Sequence, residues 1–250
     1  MIAVVFSRDP VAKAVAKALG LTDLLTAGLS TRRVGDLIYV AHGGDSTELW
    51  SNWEEQLAGM GVEHVVVLSR HEMARPRPMV TAHTPGVGEL SVAYAELKSW
   101  LLREACAERP EGYDCSAEAT HHEPDSRKLS VTFLEVGSTE AEWGDERAAR
   151  ALARAVAELP SFKPSGAATA MAVGDLHYSM LTGPILEGRL DVGHIIRKDV
   201  ATPELAAKAF YKHINKPSRV VFFKKSFKAP LRGEILSALQ KLGVEIDIKS

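Results

Sequence analysis

The chain reads as an α/β protein: a single domain over residues 1–250, with a mixed, largely parallel sheet flanked by helices. Three observations predict this. Short β-branched runs alternate with amphipathic stretches, an order that lays strands into a sheet and helices against its faces. The 250 residues, 46% of them hydrophobic, suffice to bury a sizeable core. No segment is long or polar enough to be a linker, and no internal repeat or low-complexity tract is present.

The elements follow in order. "IAVVF" is a buried first strand, and "DPVAKAVAKALG" is a helix capped by Asp9, with Pro10 in its first turn and Gly20 stopping it. "DLIYVAH" and "HVVVLSRH" are the next strands, separated by a helix around "STELWSNWEEQLAGMG" that ends at glycine. "MARPRPMVTAHTPGVGEL" is rich in Pro and Gly, so it reads as a loop carrying one short strand. "SVAYAELKSWLLREACAERP" is a long amphipathic helix followed by a strand that leads into "SAEATHHEPDS". "KLSVTFLEVGS" is a strand, and "STEAEWGDERAARALARAVAELP" a helix with Thr139 and Glu142 at capping-box spacing. The tail repeats the alternation: strand "GAATAMAVGDLHY", helix "TPELAAKAFYKHI", strand "SRVVFFKK", helix "GEILSALQKLG" and strand "VEIDI".

Composition excludes several classes. Cys106 and Cys115 are too few for a disulfide scaffold and lack Cys-x-x-Cys spacing, which points to a reducing, cytoplasmic compartment and away from thiolate metal sites. The apolar run at the N-terminus is too short for a signal sequence or a membrane span, so no membrane association is expected. A formal charge of −2 gives no global drive towards nucleic acid, and any such binding must come from a local basic patch. No P-loop, Gly-x-Gly-x-x-Gly, Gly-x-Ser-x-Gly or His-Glu-x-x-His motif is present, so nucleotide hydrolysis, hydride transfer and serine hydrolysis lack their usual signatures.

The histidines carry the functional signal. Seven of nine follow or end apolar runs: His42, His71, His83, His121, His122, His177 and His194. In a parallel sheet the strands' carboxyl ends share one edge, where ligands bind, so these side chains are expected to converge. A single histidine at a strand end is ordinarily a solvated loop residue; seven at corresponding places suggest a site. Imidazole titrates at ~6.5, suits proton transfer near neutrality and is the commonest zinc ligand. Glu118 and Glu135 accompany them, and Glu135, inside the apolar "TFLEVGS", must meet a cation, a metal or a histidine to be buried there. The residues alone leave open an enzyme, a metal-storage surface or an RNA-binding surface without catalysis.

The motifs "SRH" (Ser69 to His71), "TAHTPG", "EATHHEPD" (Glu118 to Asp125), "FLEVGSTEAEW", "HY" (His177, Tyr178) and "LEGRLDVGHI" occur in the order and spacing of the D-aminoacyl-tRNA deacylases of the archaeal and plant type. The sequence resembles a full-length member, most clearly from about Ser69 to Ile195. It departs at "VGDLHYSM", where the family has "GGGHYAP", and at "GHIIRKDV", where it has "GHILPKY". The resemblance implies hydrolysis of the ester between a D-amino acid and the 3′ adenosine of tRNA, a zinc requirement, and a fold similar to peptidyl-tRNA hydrolases and nucleoside phosphorylases. It leaves a small-molecule hydrolase or phosphorylase on the same fold as the competing enzyme.

On that reading His83, Glu118, His121, His122 and Glu135 form the reactive centre. His83, His121, His122 and Glu135 are its candidate metal ligands, and Glu118 orients a histidine. Arg70, His71, Thr120, Gly174, His177, Tyr178 and His194 are expected to line the substrate, with the turns at "TAHTPG" and "VGDLHY" as walls against the L-enantiomer. Lys224 and Lys225, beside aromatics in "VFFKKSF", are expected to meet tRNA phosphates, although lysines also blunt edge strands. The assembly is expected to be a monomer or a homodimer.

Overall fold

β1 (Ile2–Phe6) opens the chain and turns into α1 (Pro10–Ala18), where the Asp9 side chain accepts hydrogen bonds from the amides of Val11 and Ala12. The computed structural model describes residues 1–26 and 28–249. After α1 come β2 (Leu29–Val34), β3 (Leu37–His42), α2 (Trp53–Gly59), β4 (His64–Glu72), β5 (Met79–His83), α3 (Ala95–Ala107), β6 (Asp114–Ala117) and β7 (Ser130–Ser138). Then follow α4 (Glu140–Trp143), α5 (Glu146–Ala157), β8 (Ala168–Asp175), α6 (Thr182–Leu186), β9 (Leu190–Arg197), α7 (Pro203–Tyr211), β10 (Arg219–Phe223), α8 (Leu231–Gln240) and β11 (Glu245–Lys249).

The α/β class is borne out, but the strands form two sheets. Seven pair in the order β2-β3-β1-β4-β7-β5-β6 and four in the order β11-β10-β8-β9. In the first, β2 runs antiparallel to β3 and β5 antiparallel to β7, the other pairings being parallel; the second is wholly parallel. The sheets meet where the chain leaves β6: a bridge joins Glu118 to Tyr178, Ala119 N–H donates to His177 O and Thr120 N–H to Ile195 O, both at 2.8 Å.

Side chains alternate across the first sheet as a period of two requires. Val66, Leu68, Leu134 and Val136 face the main core under α1, α3 and α5, whereas Val65, Val67, Val131 and Phe133 face a smaller core with Leu57 and Trp53 of α2. A third core, with Val173, Phe222, Ile235 and Leu239, lies between the second sheet, α7 and α8.

Two elements differ from expectation. The capping box at Thr139 and Glu142 forms, but the helix breaks at Gly144 and Asp145 caps a second helix, since its side chain competes for the amide of Arg147. Cys106 and Cys115, nine residues apart, form a disulfide that ties the end of α3 to β6. Their pairing removes the argument from cysteine usage for a reducing compartment. No helix among the described residues is long and apolar enough to cross a membrane.

The buried histidines make the fold acid-sensitive. His213 is enclosed beneath β9, and burial pulls its pKa down to about 4. The unfolded chain binds its proton at ~6.5, so below that pH the unfolded state takes up more protons and stability falls towards pH 4, by about 3 kcal/mol for this group at ~1.4 kcal/mol per unit. Urea midpoints at pH 7 and pH 4.5 should show the drop; equal midpoints would contradict it.

Candidate active site

The same alternation that builds the smaller core builds the site. Continuing past Val65 and Val67 on β4 places Ser69 and His71 on that face, and continuing past Val131 and Phe133 on β7 places Glu135 there. Thr81 of β5 lies opposite Glu135 and His83 opposite Phe133, so both join this face. The short α2 covers the apolar half only. Beyond it opens a cleft of about 550 Å³ lined by residues 45–48, 69–72, His121, His122 and Glu135.

Two carboxylates and one imidazole form its floor. His71 Nδ1 lies 3.1 Å from Glu118 Oε1 and 3.3 Å from Glu135 Oε2. His71 Nε2 is 2.8 Å from the Tyr178 hydroxyl, whose pKa burial and the neighbouring Glu118 push up to about 12. The phenol therefore keeps its proton and donates it to Nε2, leaving Nδ1–H to donate to Glu135 Oε2. The Ser69 hydroxyl donates to Glu135 Oε1 at 2.5 Å. Burial and the proximity of Glu135 push the Glu118 carboxyl far above the usual range. Burial pushes Glu135 the same way, but the hydrogen bond from His71, the neighbouring His71 and His122 imidazoles and the Ser69 hydroxyl outweigh it and hold Glu135 below its ordinary value. Two carboxylates this close cannot both ionise, and the partners decide that Glu135 carries the charge.

Three imidazoles stand above that floor. His121 Nδ1–H donates to Ala119 O at 2.7 Å and His122 Nδ1–H to Glu123 O at 2.6 Å, so in the neutral rings both Nε2 atoms present lone pairs. His83 Nε2 is 3.0 Å from His122 Nε2, while His83 Nδ1 faces Glu118 Oε2 at 3.5 Å. Burial, and then the charges of His121, His122 and His71, drive the pKa of His83 far down; burial and His122 lower that of His121 to about 4. Both are neutral bases at pH 7.

The loops that hold them explain the motifs. Gly86 N–H donates to the carbonyls of His121 and His122, at 3.1 and 2.7 Å, and its φ of +138° together with a Cβ position 2.5 Å from Leu90 Cα admits only glycine. Asp125 accepts from the amides of Val87, Gly88 and Glu89, locking the 83–89 turn to the histidine pair. Trp143 Nε1–H donates to His71 O at 3.1 Å. Asp175, where the sequence departs from the family pattern, is buried and accepts from the Leu176 and Met180 amides and the Ser179 hydroxyl, so it shapes the turn that presents His177 and Tyr178.

His71, His83, Glu118, His121, His122, Glu135, His177 and Tyr178 thus come together, His177 Nε2 lying 4.0 Å from Glu118. Arg70 stands at the rim, paired with Asp9 and Glu72. His42 turns into its own loop, where Nδ1 accepts from the Gly44 amide. His194 is interior to β9 rather than at its end; fully buried, it bonds Thr120 Oγ1 at 2.9 Å and Ser91 O at 3.1 Å, behind the cleft. Gly174 has φ +87° and packs on Phe227, supporting the wall without lining the cleft. Lys224 and Lys225 are exposed at the end of β10. Ser69, Thr81 and Trp143 are site residues that the sequence reading missed. Their signal was the two-residue spacing from His71 and His83 for the first two, and for Trp143 its place at the end of the motif "FLEVGSTEAEW".

Among the described residues, three groups could hold a metal ion: His83, His121 and His122; Glu118, His121 and His177; and His71, Glu118 and Glu135, each set with ligand atoms within 4.8 Å of one another. The residues fit such a role. His83 Nδ1 and both Glu118 oxygens are buried without hydrogen-bond partners, and the Nδ1–H groups of His121 and His122 bond backbone carbonyls, as metal-ligating histidines do.

Fold and site together define an α/β protein with a buried histidine–carboxylate centre at the seam of two sheets. A family model described as D-aminoacyl-tRNA deacylase matches residues 58–247, and the chain belongs to that family, as its motifs indicated. It is 40% identical over 245 residues to the D-aminoacyl-tRNA deacylase of Pyrobaculum islandicum, covering 96% of each chain. It is also 40% identical to that of Pyrobaculum arsenaticum, covering 99% of each, and 38% identical to that of Ignicoccus hospitalis over 72% of this chain and 79% of the relative. A crystal structure of a conserved protein of unknown function shares the fold, with a TM-score of 0.81 at 22% identity over 99% of this chain and 95% of the other.

Proposed function

We propose that this protein hydrolyses the ester bond of D-aminoacyl-tRNA, releasing the free D-amino acid and tRNA and so removing the wrong enantiomer from translation, and that residues 1–250 act as one deacylase domain in the cytoplasm. The observation that carries the reading is one of geometry: Glu118 and Glu135 meet at His71 Nδ1, 3.1 and 3.3 Å away, directly beneath His83, whose Nε2 lies 3.0 Å from His122 Nε2, and their surroundings drive Glu118 towards its protonated form while holding Glu135 below its ordinary value. Groups with opposed proton affinities are what acid–base hydrolysis needs.

In this scheme the Nε2 lone pair of His121 or His122 takes a proton from water as its oxygen attacks the ester carbonyl. The carbonyl–ribose C–O bond then breaks, and the proton passes to the ribose oxygen. The imidazole nitrogens of His83, His121 and His122 suit zinc, which when bound would supply Lewis acidity and a water of lowered pKa; Glu135, expected beside them, groups instead with His71 and Glu118. Glu118 orients His83, and His71 fixes the charged carboxylate. Arg70, His177 and Tyr178 line the approach. Preferential hydrolysis of D- over L-tyrosyl-tRNA tests this function.

The tRNA body is read as a partner of Lys224 and Lys225. Removing both should make the decline of log affinity with log salt shallower by about 1.5, at ~0.7–0.9 per phosphate contact. An unchanged slope would return these lysines to a role in keeping the strand end soluble.

A further inference from the structure

His121 and His122 divide two spaces. On one side lies the 550 Å³ cleft already described; on the other, a cavity of about 190 Å³ whose lining includes Val87, Leu90, Ile196, Arg197, Val200 and Leu205. The ester of an aminoacyl nucleotide also has two sides, and the geometry points to a division of the substrate at this histidine wall: the small cavity seats the terminal adenine base, and the large cleft takes the aminoacyl group. The inference rests on the deacylase reading and adds the placement of the two halves.

Size limits the occupant first. Pockets for drug-sized ligands begin at ~300 Å³, so the smaller cavity has room for one base or one side chain and nothing more. Chemistry narrows it further, because aliphatic walls with one guanidinium at the mouth match the flat, apolar faces of a base. Charge then separates the two sides. The four strands of the second sheet are parallel, so their carboxyl ends form one edge, which carries Arg197, Lys198, Lys224 and Lys225. Arg197 belongs to both the edge and the cavity but is paired with Asp199, so the exposed Lys198, Lys224 and Lys225 carry the basic character along which a nucleic acid whose last base entered there would leave. The large cleft offers the reverse: Asp45, Glu48 and Glu72 line it, against an Arg70 that already pairs with Asp9 and Glu72. Phosphates are repelled from that side, whereas the α-ammonium of an amino acid is favoured.

Val87 and Val200, 58% and 47% exposed, stand at the cavity mouth and are free of packing duties. The assignment also moves the wall that meets the amino-acid side chain from the turns at 81–86 and 173–178, where the motifs suggested it, to the 45–48 loop.

The test measures two quantities on the wild-type protein and on Val200→Glu, Val200→Gln and Val87→Glu: binding of the trinucleotide CCA, and kcat/KM for D-alanyl- and D-tyrosyl-tRNA. The base seat predicts that each variant weakens CCA binding at least tenfold and lowers kcat/KM by one common factor for both esters. The uncharged Val200→Gln separates lost apolar contact from simple repulsion. Unchanged CCA binding, with a loss confined to the larger D-tyrosyl ester, would overturn the proposal and assign the cavity to the side chain. A wild-type protein that binds CCA, loses that binding in the variants and cleaves neither ester would count against the deacylase reading while supporting the base seat.

Discussion

Glu135→Gln should lower the single-turnover rate of D-aminoacyl-tRNA hydrolysis by about 10²–10⁴-fold, the range over which a positioned acid–base group contributes, whereas Glu118→Gln should cost roughly tenfold or less. The two carboxyls share His71 Nδ1 at 3.1 and 3.3 Å, yet their environments divide them. Glu135 is held ionised by His71, His122 and the Ser69 hydroxyl, so an amide there removes a charge that the centre uses. Glu118 is driven towards its protonated form by burial and by Glu135, and an amide mimics that form in shape and in having a donor. Rates and thermal midpoints for both variants check the assignment. Equal losses would mean that Glu118 is also ionised in the working enzyme.

Gly137→Ala is the second large effect, and it acts from outside the reacting groups. A Cβ at Gly137 would sit 2.4 Å from His71 O and 2.7 Å from His71 Cβ, distances no relaxed side chain adopts. β4 and β7 must separate there, which carries His71 away from both carboxylates and weakens the bond from Trp143 Nε1 to His71 O. A displacement near 1 Å costs about 10²-fold in rate, and the overpacking costs roughly 1–3 kcal/mol of stability. The expected result is a folded protein with a lower melting temperature and at least a hundredfold lower kcat. Wild-type kcat in a folded Gly137→Ala protein would show that the position of His71 is not critical.

Much of this was visible in the sequence, for physical reasons that can be named. "IAVVF" and "HVVVLSRH" announce strands because both their faces are buried, and buried strands are continuously apolar. β2 was not legible: "LSTRRV" lies at the sheet edge with most of its side chains in water, so it carries no apolar pattern. The helix around residues 46–61 shrank to seven residues because Asn52 adopts φ +56° and starts α2 there. The division into two sheets depends on pairings far apart in sequence, which periodicity does not encode.

The site shows the same limit. His71, His83 and Glu135 could be read from their strands, because Ser69/His71, Thr81/His83 and Phe133/Glu135 follow the two-residue period of one face. The adjacent His121 and His122 share the site because the strand has ended: His122 has φ +38°, outside extended geometry. His42 and His194 sit in strands much as His71 does, but one belongs to a loop folded on itself and the other to the interior of the second sheet. Which histidines converge was decided by the seam between the sheets, and that is tertiary information.

The most direct test of the central claim is the initial rate of hydrolysis of matched D- and L-tyrosyl-tRNA, each with and without a zinc chelator. The account predicts fast cleavage of the D-ester with the L-ester spared, and loss of the D-rate on chelation that zinc restores. Failure to cleave the D-ester under any condition would contradict the deacylase assignment, and a chelator-resistant D-rate would contradict the zinc role while leaving the histidine–carboxylate centre to act alone.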